Sequence, residues 1–289
     1  MRARSDGRAL RVRLQAAGPG GNSRSILRRG VEMRRSLILF LSLMVLSAVG
    51  FFGNIRQALA KQGKGHLLYM TLSAGYKHAS IPTSENVVKE IGERSGLFDT
   101  TVTQDVGAFT PENLKKYDVV MFYTTGELPM TDAEKSAFIN FVRSGHGFVG
   151  VHSSTDTFYT WQDYLELVGG YFNEHPWHEK VTVEVADPSS PIVSFLGKSF
   201  EVNDEIYQTA DFQYKTSHVL LRLDPNSVNV HKQGVHLRFY GWPLAWTRRD
   251  GKGRVFCTLL GHEDAVWNSK WYQEMLLNGI KYAMGRRMK

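Results

Sequence analysis

GHGFVGVHSSTDTFYTWQDYLELVGGYFNEHPWH, residues 145–178, is the stretch from which the rest of this chain can be read. Residues 148–151 (FVGV) form an apolar run of strand length that stops at His152-Ser153-Ser154-Thr155-Asp156. A helix-like segment follows, then Gly169-Gly170 and the histidines His175 and His178. A polar group buried without a partner costs about 1–3 kcal/mol. A strand that ends in five consecutive polar side chains is therefore expected to face a cleft.

The pattern around this stretch repeats. Residues 67–72 are strand-like and break at Ser73-Ala74-Gly75-Tyr76-Lys77-His78, and a helix is predicted from about Pro82, with Val87 and Ile91 on one face. Residues 101–104 read as a short strand, and residues 118–123 (DVVMFY) as a buried one ending at Thr124-Thr125-Gly126-Glu127. Thr131-x-x-Glu134 is a capping box opening a helix that turns Phe138, Phe141 and Val142 inward. Strands alternating with helices at this spacing predict βαβ units with right-handed crossovers. The expected fold is a flavodoxin-like α/β open sheet, mainly parallel, with helices on both faces. After Gly170 the regularity changes. Strand-like runs at 181–185, 202–207, 219–223 and 244–248, separated by turns such as Asp187-Pro188 and Asp224-Pro225, predict an added antiparallel or mixed β region. Residues 253–260 return as a core strand ending at Gly261-His262-Glu263-Asp264, and one helix is expected over 265–284, with Trp267, Trp271 and Met275 packing.

Residues 1–32 are rich in Arg, Gly and Ser without apolar periodicity and read as a disordered or upstream extension, so that either Met1 or Met33 is the start. From Met33 the chain resembles a signal peptide (33–60): Arg34-Arg35, an apolar run over 37–52, and the small residues of Ala58-Leu59-Ala60. Arg34-Arg35-Ser36-Leu37-Ile38 fits a twin-arginine signal loosely, and the hydrophobic run suits the general route better. The expectation is an exported protein, periplasmic or extracellular, whose mature part is a single α/β domain over 61–289. If the segment is not cleaved, it is the only contact with a membrane. Residues 1–60 hold 11 of the 35 Lys+Arg and 2 of the 28 Asp+Glu, so the body carries 24 and 26 and is slightly acidic despite the formal +7 of the whole chain. That argues against nucleic acid as a partner. All ten histidines lie in the body. The lone Cys257 sits in an apolar run, has no partner for an intrachain disulfide, and reads as core filler.

Ligands of open parallel sheets sit outside the carboxyl ends of the strands. That rule selects residues 73–80 with His78, residues 124–127, residues 152–156, and residues 261–264. In chain order, GYKHASIP (75–82), DVVMFYTTGE (118–127), GFVGVHSSTDTFYTW (147–161), GGYFNEHP (169–176), NDEIYQ (203–208) and LLGHED (259–264) resemble the trehalose-utilisation (ThuA-like) domain family over roughly residues 67–282. The resemblance implies a fold like that of class I glutamine amidotransferases and a role with sugars, associated with oxidised, keto-form glucosides. It also lifts Glu205 above the reading of Asp204-Glu205 as carboxylates paired with Lys or Arg. The amidotransferase cysteine is missing, because the elbow after residue 151 carries His152-Ser153 and Cys257 lies within a strand, so glutamine hydrolysis is not expected.

The expected catalytic residues are His152, His262, Asp156 and Glu263, and the expected substrate contacts His78, Ser153, Tyr159, Trp161, His175 and Glu205. His178 reads as solvated, and His146, His218, His231 and His236 as exposed or local. A divalent metal, Zn²⁺ or Mn²⁺, would explain the histidine excess, with His78, His152, His175 and His262 as candidate ligands. No H-E-x-x-H motif is present. A sugar ketone acidifies its neighbouring C–H bonds, so a base near neutral pKa and an electrophile at the carbonyl oxygen could drive isomerisation, elimination or glycosidic cleavage of a keto-sugar or disaccharide. The alternative is a non-catalytic carbohydrate-binding or partner-docking domain with Trp161, Tyr159, Trp177 and Trp242 stacking on sugar rings. A serine hydrolase would rest on Ser153 alone, without the G-x-S-x-G spacing. Self-association is left open.

Overall fold

The computed structural model describes residues 63–288; the expected extension and signal segment lie outside the described residues. Strands β1 (Gly65–Met70), β2 (Phe98–Thr103), β3 (Val119–Phe122) and β4 (Gly147–Val151) alternate with helices, the longest being Ile81–Ser95 and Asp132–Arg143. After the helix Gln162–Val168 come β5 (Tyr171–Phe172), β6 (Trp177–Val185), β7 (Ser199–Ile206), β8 (Thr209–Ala210), β9 (Ser217–Leu223), β10 (Pro243–Asp250) and β11 (Gly253–Thr258). Nine of these form one sheet in the order β2-β1-β3-β4-β11-β10-β9-β6-β7, with β5 and β8 paired separately. Strands β2, β1, β3, β4 and β11 run parallel, and from β10 onward the pairing is antiparallel. The parallel half thus has the flavodoxin-like 2-1-3-4-5 arrangement, with β11 as its fifth strand. The antiparallel half is the expected addition.

Alternation along β4 shows how both faces are covered. A side chain at Gly147 would run into Ala283 of the helix Lys270–Ala283, with a Cβ 2.5 Å from its carbonyl oxygen. Phe148, one residue on, turns the other way and packs its ring 5.6 Å from Phe138 of the helix Asp132–Arg143. Phe122 stacks on Phe138 at 5.0 Å, and Phe109 and Tyr164 complete this layer. The capping box forms: the Glu134 N–H donates to Thr131 Oγ1, and the Thr131 N–H donates to Glu134. Phe138, Phe141 and Val142 are buried. Cys257 is buried too, and burial pushes its thiol up to about 12, as befits core filler.

The helix expected over 265–284 is two helices, Asp264–Asn268 and Lys270–Ala283, because Ser269 is extended at ψ 138°. The Ser269 hydroxyl donates to the Val266 carbonyl at 2.7 Å, and Gln273 takes the carbonyl of Trp267 at 3.0 Å, so the break satisfies its own backbone. Trp267 is fully buried and stacks 5.8 Å from Tyr123 at the end of β3. Among the described residues no helix is long and apolar enough to cross a membrane.

Candidate active site

Each parallel strand but the edge strand β2 hands a polar group to one place. The loop after β1 supplies His78, the end of β3 supplies Tyr123, the turn after β4 supplies His152, and the turn after β11 supplies His262. Antiparallel β7 adds Asp204 and Glu205. The imidazole of His78 lies 4.8 Å from that of His152 and 5.1 Å from that of His262, centroid to centroid. His152 Nε2 is 3.3 Å from His262 Nδ1, and Glu205 Oε2 is 3.5 Å from the former and 3.1 Å from the latter. His78, His152 and Glu205 are buried and His262 is partly open.

The turn bearing His262 is held at nearly every polar atom. Asp204, wholly buried, accepts N–H bonds from Gly261 at 2.7 Å, His262 at 3.1 Å and Glu263 at 3.0 Å. The Leu259 carbonyl pairs with His152 Nδ1 at 2.8 Å, Tyr272 donates to the Leu260 carbonyl at 2.8 Å, and Trp267 Nε1 donates to the Gly261 carbonyl at 2.8 Å. Tyr123 also donates to that Gly261 carbonyl at 3.1 Å. Gly261 takes φ 121°, and a Cβ there would lie 2.6 Å from the Tyr272 hydroxyl, so this position needs glycine.

His152 is the pivot of the second turn. A carbonyl can only accept, so Nδ1 donates to Leu259, and Nε2 is left facing Glu205 and His262. Its backbone sits at φ 44°, where a side chain is uncommon and histidine is among the tolerated residues. The sharp elbow expected after residue 151 is thus made without G-x-S-x-G.

The charges fit this packing. Burial, with the neighbouring His152 and His262, pushes His78 down to about 3, which keeps its ring neutral. Glu205 raises His262 through their hydrogen bond, against the effect of burial. Burial would push Glu205 up, but its bonds to His152 and His262 together hold it well below the usual carboxylate range. Burial raises Asp204, and the His152 ring and the backbone N–H donors pull it back.

Of the other expected residues, His175 lies at the mouth, Nδ1 3.4 Å from Glu205 Oε1. Glu263 pairs with His178 at 2.6 Å, and the His178 ring is 5.0 Å from His262, so His178 borders the site as well as solvent. Asp156 accepts from Tyr159 at 2.5 Å, and burial raises its carboxyl. Ser153 is buried with a hydroxyl that meets no base, which removes the support for a serine nucleophile. Trp161 packs with Phe138, Phe158 and Tyr164 and borders a different cavity, about 360 Å³, lined also by Lys135 and Arg143. Trp177 and Trp242 are buried edge to face against each other at 5.4 Å, because β6 carries Trp177 under the segment that includes Asn229. They cannot serve as the sugar platform that the binding-module alternative assigns to them. Asp204 is the residue that sequence reasoning missed: its partners are backbone amides rather than Lys or Arg. The only hint was a pair of adjacent carboxylates within an apolar strand.

His78, His152, Glu205 and His262 place one ligand atom each within 4.8 Å of one another. Nδ1 of His78 is buried with no hydrogen-bond partner, the kind of orphan a cation would satisfy. Three imidazoles and a carboxylate suit Zn²⁺ or Mn²⁺. His175, offered as a ligand by the sequence, is replaced in this set by Glu205. A second group, His178, His262 and Glu263, shares His262 and is more exposed.

Fold and site together define an α/β protein with a histidine–carboxylate centre at the carboxyl edge of a parallel sheet. Residues 66–283 match the ThuA family, described as trehalose utilisation, and the chain belongs to that family. A ThuA-like protein of Bacteroides uniformis superposes with a TM-score of 0.63 at 23% identity, covering 77% of this chain and 92% of that one. One from Parabacteroides merdae does so with a TM-score of 0.63 at 20% identity, covering 78% and 92%. A cytoplasmic protein of Salmonella typhimurium shares the fold with a TM-score of 0.53 at 12% identity, covering 75% and 99%. Among curated proteins none matches the sequence.

Proposed function

We propose that this chain is an exported carbohydrate-active enzyme that acts on a keto-glycoside at the His78–His152–Glu205–His262 centre. The observation that carries the reading is the convergence of four ligand-type side chains from four separate segments, one of which, His78, also has a buried ring nitrogen without a hydrogen-bond partner. A divalent ion held by these four residues would supply Lewis acidity toward a sugar carbonyl oxygen. Glu263, paired with His178, and Asp156, paired with Tyr159, are the carboxylates beside the centre assigned to moving the proton next to the ketone. Which bond then breaks, in isomerisation, elimination or glycosidic cleavage, follows from the substrate. Burial of Trp177 and Trp242 weighs against a non-catalytic sugar-binding module.

The test is elemental analysis of the purified protein, followed by turnover assays on trehalose carrying one ring ketone and on unoxidised trehalose. About one Zn²⁺ or Mn²⁺ per chain, lost in His78→Ala and Glu205→Gln, with turnover of the keto-sugar, is the expected result. Full metal loading in both variants, or no turnover of any keto-sugar by loaded protein, would overturn it. Export is tested on the same protein: recovery outside the cytoplasm with an N-terminus near Lys61 is expected, and retention of residues 37–52 would make them an anchor.

A further inference from the structure

The rings at the site form a continuous chain from one rim to the other. Tyr76 meets His78 edge-on at 4.9 Å, and His78 meets His152 at 4.8 Å. His152 meets Tyr207 at 4.2 Å, Tyr207 meets Phe172 at 4.2 Å, and Phe172 stacks on His175 at 5.7 Å. The middle of this chain is buried and the ends are open: His152 is 0% exposed, Tyr76 65%. The rings therefore run from solvent at Tyr76 and His175 to the buried histidine cluster between them. Of the exposed large apolar side chains among the described residues, Tyr76 is the one whose ring lies against a cluster histidine.

An exposed aromatic ring on a loose loop would mean little, but the loop carrying Tyr76 is clamped. The N–H groups of Ala74 and Gly75 donate to the Thr125 carbonyl at 2.8 and 3.2 Å, and Thr125 Oγ1 donates back to the Tyr76 carbonyl at 2.8 Å. The loops after β1 and β3 are pressed together so closely that a Cβ on Gly126, at φ 74°, would stand 2.7 Å from the Gly75 nitrogen. The backbone under Tyr76 is thus fixed before any ligand arrives, which removes much of the ordering cost of binding. Packing within the protein does not require the ring's open surface. A pyranose would use it: its C–H face is apolar and fits an aromatic ring, while its hydroxyls fit the carboxylates and imidazoles of the neighbouring cluster.

We propose that Tyr76 is a substrate-contacting residue that stacks on the pyranose ring presented to the histidine centre and selects for a sugar with an open apolar face. This rests on the reading of that centre as a carbohydrate site. The probes are trehalose and trehalose carrying one ring ketone, titrated calorimetrically into metal-loaded protein. Tyr76→Ala is expected to weaken binding of the accepted sugar about tenfold. Tyr76→Phe is expected to stay within about twofold of wild type, because the ring does the stacking. Metal content and melting temperature should not move in either variant. Wild-type affinity in Tyr76→Ala would overturn the assignment and leave the carbohydrate reading standing. Weaker binding accompanied by lost metal or a lowered melting temperature would also overturn it, since Tyr76 would then be a prop for His78. Wild-type protein that holds metal and binds neither sugar would overturn the carbohydrate reading, and this proposal with it.

Discussion

Asp204→Asn tests what holds the site together. The carboxylate spends one oxygen on the Gly261 N–H and the other on the N–H groups of His262 and Glu263, in a wholly buried position. The amide keeps a single acceptor oxygen. Whichever way it is turned, its NH₂ must face at least one of these donors, so one or two bonds are lost and a donor is set against a donor. A hydrogen bond to a charged acceptor contributes about 1.5–3 kcal/mol. The expected loss in unfolding free energy is therefore roughly 2–5 kcal/mol, or about 5–15 °C in melting temperature for a domain of this size. Denaturant titration of metal-free protein measures the free energy, and a thermal scan checks it. The turn also carries His262, so metal affinity should fall in step. A variant within about 0.5 kcal/mol of wild type, the range of an ordinary surface substitution, would show that Asp204 does not clamp this turn.

At His152, both Ala and Gly variants are expected to lose bound metal and turnover with it, yet Gly should be the more stable by about 1 kcal/mol, since φ 44° opposes a Cβ; equal denaturation midpoints would remove the strain argument. In metal-free protein His78 sets an acid limb of stability. Its folded pKa is lowered to about 3 by burial and by its histidine neighbours, while the unfolded chain takes up its proton near ~6.5, so stability should fall as pH drops through that window, by up to about 1.4 kcal/mol per unit. His262 has the opposite sign: Glu205 raises its pKa, so its contribution is complete below the unfolded value and is lost as pH rises through the folded one. Denaturation midpoints from about pH 4 to about pH 8 should show a shallower acid limb in His78→Gln, and an unchanged limb would assign it elsewhere.

The sequence alone determined the parallel half of the sheet, the capped helix at Thr131 and the positions of His78, His152 and His262 after their strands. These features are written in contiguous residues: an apolar run of strand length, a cap three residues before its Glu, a polar break where a strand must end. The family resemblance added Glu205. What only the tertiary structure decided lies between distant segments. Asp204 meets its amides across 57 residues, and antiparallel β7 delivers Glu205 to histidines held by parallel strands. The same holds for His178, solvated by its sequence context but joined to Glu263 across 85 residues, and for Trp177 and Trp242, buried against each other. Ser269 breaks the last helix so that Trp267 can reach the Gly261 carbonyl. Local periodicity reports which face of an element is buried. The identity of what covers it depends on strand order, and strand order is set by packing across the whole sheet.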